Sequence, residues 1–483
     1  MPRKDVLVDR EAEREALLRL APVDRPTLAL LYGRRRVGKT FLLDRVWEAG
    51  RVFYFLAADS TPEMNRSDIV RDLAAWSGRD LDPSDYPSWR TVFRAFLQLA
   101  ANEPLIVILD EFQYLLGGED DAASQLVAVW DREVGRRPLT LLLCGSEVST
   151  IERLQGADQP LHGRFDWSHR LRSFDYFDAS RMVPGRDHRE AARAYGIFGG
   201  TPQYLAGIDD AEPLAEAVCR LMLDPGGSIR VQIENIIEQE KGIRSPAEYR
   251  SALAAIGRGR SERNAIATTA GLAGKPSSLR QILDRLEALG LISRERNFDA
   301  PANAPIRYRI SDNALRFWYR FVEPHRSVLE TGGAAEVWAQ FIEPRLGTYM
   351  GSVFEGICRE AFTRLHAKWD LPAAAEWARW EGQDKQRRSI EIDVVARLID
   401  GSLLSGEVKW SSSPADASIH TSHLRRLESL AASGKGWAHD ALAADESTRY
   451  VYFSAAGFAD DLCAVARADP RILLVDLDEL YSR

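Results

Sequence analysis

At 483 residues with 45% hydrophobic content, the chain is long enough for about three domains, each with a core of its own. A formal net charge of -8 excludes a protein that coats nucleic acid or anionic membrane over its whole surface, so any nucleic-acid contact has to be local. Four cysteines, Cys144, Cys219, Cys358 and Cys463, stand far apart and never as C-x-x-C, which argues against a disulfide framework and a zinc site.

The N-terminal Met-Pro-Arg-Lys-Asp turns charged without an apolar stretch, and no apolar run approaches the ~20 residues that span a bilayer. A cytoplasmic location with no membrane partner is the expectation. Strand-like runs at 28–32, 52–57, 105–109 and 139–143 alternate with amphipathic stretches at 11–20, 40–49, 65–77, 88–101 and 122–134. That alternation predicts an α/β fold, a parallel sheet with helices on both faces.

The first strand runs into Gly33-Arg-Arg-Arg-Val-Gly38-Lys39-Thr40, the pattern G-x-x-x-x-G-K-T. Gly33 and Gly38 let backbone N–H groups wrap an anion, Lys39 reaches the outer phosphates, and Thr40 is placed to ligate Mg2+. ATP and Mg2+ are therefore the expected ligands. The run Leu105 to Leu109 delivers Asp110 and Glu111 at its C-terminal end, where open parallel sheets bind ligands. Asp110 suits Mg2+ held through water, and Glu111 suits a water-activating base. Ser146, at the end of the next strand, is a candidate sensor of the γ-phosphate, and Arg164, ahead of Arg170, is a candidate for neutralising its charge.

From 186 to 245 the pattern is helical throughout, and reads as a lid. Residues 246–312 hold three helix-sized segments, the last with Leu279, Ile282, Leu283, Leu286 and Leu289 on one face and Gly290 as its stop. Two extended pieces follow, which predicts a winged helix-turn-helix. Lys275, Arg280, Arg285, Arg294 and Arg296 could meet phosphates there, although Asp284 and Glu287 share the helix. From about 345 the order helix, strand hairpin, helix, strand, helix, strand predicts a second α/β domain. The expected division is 1–185, 186–245, 246–320 and 321–483.

Val8-Asp-Arg-Glu11, the phosphate loop, Leu109-Asp-Glu-Phe-Gln-Tyr114, Phe198-Gly-Gly-Thr-Pro202 and the segment Tyr308 to Trp318 together resemble the archaeal-type P-loop ATPases of the STAND class. The resemblance implies that Arg10 lies near the adenine and that Gly200 and Pro202 pack on the nucleotide from the lid. It also implies a nucleotide-gated switch whose arrangement or assembly, with itself or a protein partner, changes between ADP and ATP.

Farther on, Asp393, Glu407 and Lys409 sit in two strand-like runs about an Asp400-Gly401 turn signal. Glu407 and Lys409, two apart on a strand, share a face. Two carboxylates and a lysine suit Mg2+-dependent phosphodiester cleavage, the acids holding the ion and the lysine positioning water. These residues resemble the D…E-x-K set of restriction-endonuclease-like nucleases, with Glu355 matching that group's helix glutamate and DNA or RNA as the implied substrate. A strict two-residue turn would pair 393 with 408 and turn Asp393 away from Glu407 and Lys409, so an odd-length loop or a bulge is required. Two functions are open at this point: an ATP-gated nuclease, or a nucleotide switch whose C-terminal domain is a non-catalytic interaction module.

Overall fold

The structure is a computed structural model that describes residues 8–21, 25–47, 51–101, 103–117, 121–238, 240, 243, 245–443 and 447–482. The charged N-terminal residues 1–7, the end of the helix expected over 40–49, and residues 239, 241, 242 and 244 of the expected lid lie outside the described residues. The chain divides into two compact units, Arg3–Ser173 and Phe174–Arg483.

In the first unit, β1 (Thr27–Tyr32), β2 (Val52–Leu56), β3 (Leu105–Asp110), β4 (Leu139–Gly145) and β5 (Trp167–Arg170) form one sheet in the order β2-β3-β4-β1-β5. Every neighbouring pair is parallel. Side chains alternate faces along a strand, and the sheet's two cores follow that parity. Leu28, Leu30, Phe53, Phe55, Val107, Leu109, Leu141 and Leu143 face a core shared with the helices Pro62–Ser77, Trp89–Leu99 and Ala122–Glu133. Ala29, Leu31, Ile106, Ile108, Leu142 and Cys144 face the opposite core, with Leu17 of helix Glu11–Arg19 and Leu42 of helix Lys39–Leu43. Strand β5 was not expected, because Trp-Ser-His-Arg has no apolar run. Backbone pairing holds it to β1, and Asp166 adds a carboxylate that accepts from the N–H of Leu28 at 2.9 Å.

The second unit begins with helices, among them His188–Phe198, Leu214–Val218 and Ser228–Glu234. Three more, Pro246–Gly257, Arg263–Thr269 and Pro276–Ala288, precede an antiparallel ribbon of β6 (Ile292–Glu295) and β7 (Arg307–Ile310). Leu279, Ile282, Leu283, Leu286 and Leu289 are all buried. The segment joining β6 to β7 carries Phe298, which is 1% exposed and meets Trp437 edge-on at 5.6 Å.

A second sheet follows the 23-residue helix Glu343–Leu365. It comprises β8 (Ala374–Gln383), β9 (Ser389–Leu398), β10 (Leu403–Lys409), β11 (Thr448–Ser454) and β12 (Ile472–Asp476), in the order β12-β11-β10-β9-β8. β8, β9 and β10 are antiparallel neighbours, and β10, β11 and β12 run parallel. Strand β8 is an addition to the expected hairpin. Its Ala, Glu, Gly and Gln are poor strand formers, but Trp377 and Trp380, three apart, give each sheet face a tryptophan, and a register shift opposite Ala378 and Trp380 adds one residue to β9 between Val395 and Ile392. Trp380 joins Trp437 in one core, and Trp377 packs on Phe362 of the long helix at 4.9 Å.

Candidate nucleotide and carboxylate sites

The loop between β1 and helix Lys39–Leu43 is built around two glycines. A Cβ at Gly33 would strike the carbonyl of Leu171, and Gly38 adopts φ 94°, a conformation that disfavours other residues. Lys39 is 6% exposed, and its ammonium donates to the carbonyls of Gly33 at 2.8 Å and Arg34 at 3.3 Å. Burial pushes its pKa down, against the pull of Glu111 and Asp110. Arg10, the left-handed residue ahead of helix Glu11–Arg19, sends its guanidinium to the carbonyls of Arg172 and Val37 and to Glu13 at 3.2 Å. It therefore braces the backbone of the phosphate loop.

Asp110 ends β3 at 2% exposure. Its carboxylate accepts from the Thr40 hydroxyl at 3.2 Å, from the Tyr54 phenol at 2.6 Å, and from the N–H of Glu111 at 2.8 Å. Burial and the Asp110 charge hold the Tyr54 phenol protonated well beyond its ordinary range. Glu111 stands at φ 54°, which turns its carboxylate to accept from Ser146 Oγ at 2.6 Å and from the Gln113 amide. Sequence reasoning placed Thr40, Asp110, Glu111 and Ser146 here but missed Tyr54 and Gln113. Arg35 joins the same group through Tyr114 at 2.9 Å and Ser146 at 3.5 Å. Thr40 and Asp110 together offer the hard oxygen donors that Mg2+ requires. Arg164 is engaged elsewhere, by Asp131 at 2.8 Å and the carbonyl of Pro160 at 2.6 Å, and none of its hydrogen bonds goes to the phosphate loop.

Gly200 and Pro202 lie in the second unit. The carbonyl of Gly200 accepts from the N–H of Phe174 at 2.8 Å, and Pro202 opens the helix Pro202–Leu205.

The β9–β10 hairpin is closed by three residues, Ile399, Asp400 and Gly401: Leu398 donates to Ser402 at 2.9 Å, and Gly401 adopts φ 89°. Leu403 pairs with Arg397 and Gly406 with Val394. This odd-length loop sets Arg397 and Val395 opposite Leu403 and Ser405, and an extra residue of β9 between Val395 and Ile392, against Ala378 and Trp380 of β8, takes Asp393 out of the regular alternation beside Glu407 and Lys409. Asp393 accepts from the N–H of Val408 at 2.9 Å, and Lys409 Nζ lies 3.7 Å from Asp393 and 3.1 Å from Glu407.

Glu407 is 1% exposed. Burial would raise its pKa, but His423, Lys409 and Arg426 outweigh that effect and bring it to about 2. Arg426 donates to it at 2.6 Å, and Nδ1 of the fully buried His423 lies 3.2 Å away. Both come from helix Ser418–Ala432 and were not foreseen; their i, i+3 spacing on one helix face was the available signal. Asp393 is shifted the other way, upward, by burial and by Glu407. Glu355 is also raised by burial, opposed by Arg309 at 3.8 Å and Arg379 at 3.9 Å, and lines a 180 Å³ cavity together with Asp393. Among the described residues, no three His, Cys, Asp or Glu side chains converge in a metal-holding group. Oxygen donors for Mg2+ at this centre reduce to the pair Asp393 and Glu407.

No helix among the described residues is long and apolar enough to cross a membrane. Residues 7–208 match a family described as an ATPase domain predominantly from Archaea, and residues 318–420 match one described as archaeal and bacterial proteins of unknown function. An uncharacterized protein of Methanocaldococcus jannaschii is 25% identical over 413 residues, covering 84% of this chain and 88% of its own. Solved structures that align include the Walker-type ATPase of Pyrococcus abyssi, 23% identical with a TM-score of 0.49, covering 66% of this chain and 97% of that one. The Aeropyrum pernix ORC2 protein in its ADPNP and ADP complexes aligns at 16% identity with a TM-score of 0.42, covering 68% and 96%. Family match and loop geometry together give the first unit the character of an ATP-binding P-loop ATPase domain.

Proposed function

We propose that the chain hydrolyses ATP and uses the nucleotide state to gate phosphodiester cleavage of DNA or RNA by its C-terminal sheet. The observation that carries the second half is the approach of Lys409 Nζ to Asp393 at 3.7 Å and to Glu407 at 3.1 Å. At the first site, Lys39 meets the outer phosphates, Thr40 and Asp110 hold Mg2+, and Glu111, oriented by Ser146 and Gln113, takes a proton from the attacking water. Arg10 supports the loop through the carbonyls of Val37 and Arg172. Arg164 is the weakest member of this set, because Asp131 already neutralises it.

At the second site, Asp393 and Glu407 are the Mg2+ ligands, and Glu355 assists through the cavity it shares with Asp393. Bound Mg2+ supplies charge neutralisation and activation of water there. Lys409 orients the water and steadies charge on the phosphorus. Residues 246–312 serve as a winged helix, with the tip of its ribbon turned inward through Phe298.

A second reading has specific support. Glu407 is already claimed by Lys409, Arg426 and His423, which suits a C-terminal domain that keeps the fold as an interaction module and a chain that acts as a nucleotide-dependent switch.

Nucleic-acid cleavage with Mg2+ and ATP decides between the two. Under the nuclease reading, Asp393→Ala and Lys409→Ala abolish cleavage, and Lys39→Ala removes its dependence on ATP. Equal cleavage by all variants, or none by the wild type, defeats it.

A further inference from the structure

A 480 Å³ cavity lies within the second unit, bordered by helix Pro246–Gly257, the β6–β7 ribbon, helix Glu343–Leu365 and β8. Seven arginines and two glutamates, Glu295 and Glu381, line it. Arg307, Arg309 and Arg379 form ion pairs with those acids or with Glu355. Arg296, Arg316, Arg320 and Arg345 form no ion pair among the described residues. Arg316 spends Nε and Nη2 on the carbonyl of Ile310, while its Nη1 is shielded from solvent with no hydrogen-bond partner. Burial and neighbouring Arg309 push its guanidinium down to about 10. So many like charges around one cavity repel each other unless an anion joins them.

The cavity continues toward the acidic centre. The 180 Å³ cavity that reaches Glu355 and Asp393 shares Glu295, Arg296, Arg309 and Arg379 with it. The 480 Å³ of the larger cavity is that of a small-ligand pocket, about 300–1,000 Å³, which admits one or two nucleotides of a single strand but not a double helix. The lining tyrosines are committed elsewhere: Tyr349 donates to the carbonyl of Gly196 at 2.7 Å, and Tyr308 is 8% exposed. Stacking on bases has no platform here, whereas phosphate contacts have several.

We infer that this arginine-lined cavity binds the phosphodiester backbone of a single nucleic-acid strand, without sequence preference, and leads it toward Asp393. The inference rests on the phosphodiesterase reading of the C-terminal sheet. Arg320 and Arg345 are exposed at the cavity, so their removal disturbs no packed core.

Fluorescence anisotropy of the full chain with a labelled single-stranded oligonucleotide in EDTA tests binding apart from cleavage. The double variant Arg320→Ala/Arg345→Ala is expected to bind at least tenfold more weakly, with a salt slope reduced by about 0.7 per lost phosphate contact. Arg320→Lys/Arg345→Lys is expected to restore most of the affinity, and all variants to share the wild-type unfolding midpoint. Wild-type affinity in the alanine variant overturns the proposal. So does equally tight binding of duplex through the same arginines, or saturable binding of tripolyphosphate there with no binding of the strand. Arginine-dependent strand binding by a wild type that cleaves nothing with Mg2+ upholds the strand site and removes the nuclease reading instead.

Discussion

His423 lies between two residues of β10, with Nε2 2.9 Å from Ser405 Oγ and Nδ1 3.2 Å from the Glu407 carboxylate. All three are buried, so the imidazole satisfies groups that water does not reach. His423→Leu leaves the Ser405 hydroxyl without a partner, at a cost of about 1–3 kcal/mol, and takes from Glu407 one of the three partners it has among the described residues. The urea midpoint of the second unit is expected to fall accordingly; an unchanged midpoint would show that Arg426 and Lys409 suffice to hold Glu407.

Lys39→Ala removes the ammonium from the phosphate loop. A charge-assisted hydrogen bond to phosphate is worth about 1.5–3 kcal/mol, so calorimetric titration with ATP is expected to show at least a tenfold weaker Kd. Retention of wild-type affinity would place ATP elsewhere.

Tyr54→Phe deletes the 2.6 Å hydrogen bond to Asp110 and keeps the ring. Loss of a partner that orients a metal-holding carboxylate commonly lowers metal affinity by about ten- to a hundredfold. The enhancement of ATP binding by Mg2+ is expected to shrink by roughly that lower figure, while ATP binding in EDTA stays as in the wild type. A change confined to the EDTA measurement would contradict the role given to Tyr54.

Glu360, on helix Glu343–Leu365, accepts from the Tyr195 phenol at 2.9 Å and from the N–H of Tyr176 at 3.1 Å. Burial raises its pKa to about 7, from an unfolded value of 4.5. The folded chain therefore holds a proton that the unfolded chain releases. The stabilisation is complete below about pH 4.5 and is lost as pH rises through about 7, amounting to about 3 kcal/mol. Glu360→Gln is expected to flatten the fall in stability across that window, as measured by denaturant midpoints from pH 4 to pH 8. An unaltered slope would assign that pH dependence to other groups.

Much of the nucleotide site was legible because its chemistry is local. A glycine-bracketed loop and two acids at a strand end occupy consecutive residues, so Lys39, Thr40, Asp110 and Glu111 could be named without knowing the fold. The register of the β9–β10 hairpin was legible for a different reason: parity alone calls for an odd-length loop or a bulge near Asp393. The strand pair has the first at 399–401, and β9 has the second between Val395 and Ile392. Tyr54, His423 and Arg426 were not legible, because each acts across elements distant in sequence. Strands β5 and β8 escaped notice because pairing with neighbours, rather than their own composition, makes Trp167–Arg170 and Ala374–Gln383 extended. For Arg164, the sequence indicated a cation but gave no hint that Asp131 had claimed it.

Phe298 fastens the β6–β7 ribbon into the hydrophobic interior of the second sheet, and the N–H of Phe298 donates to the carbonyl of Arg379 on β8 at 3.0 Å. The ribbon thus cannot swing as a free arm. A tilt of the three helices before it is therefore expected to pull on β8, the strand beside β9, which carries Asp393.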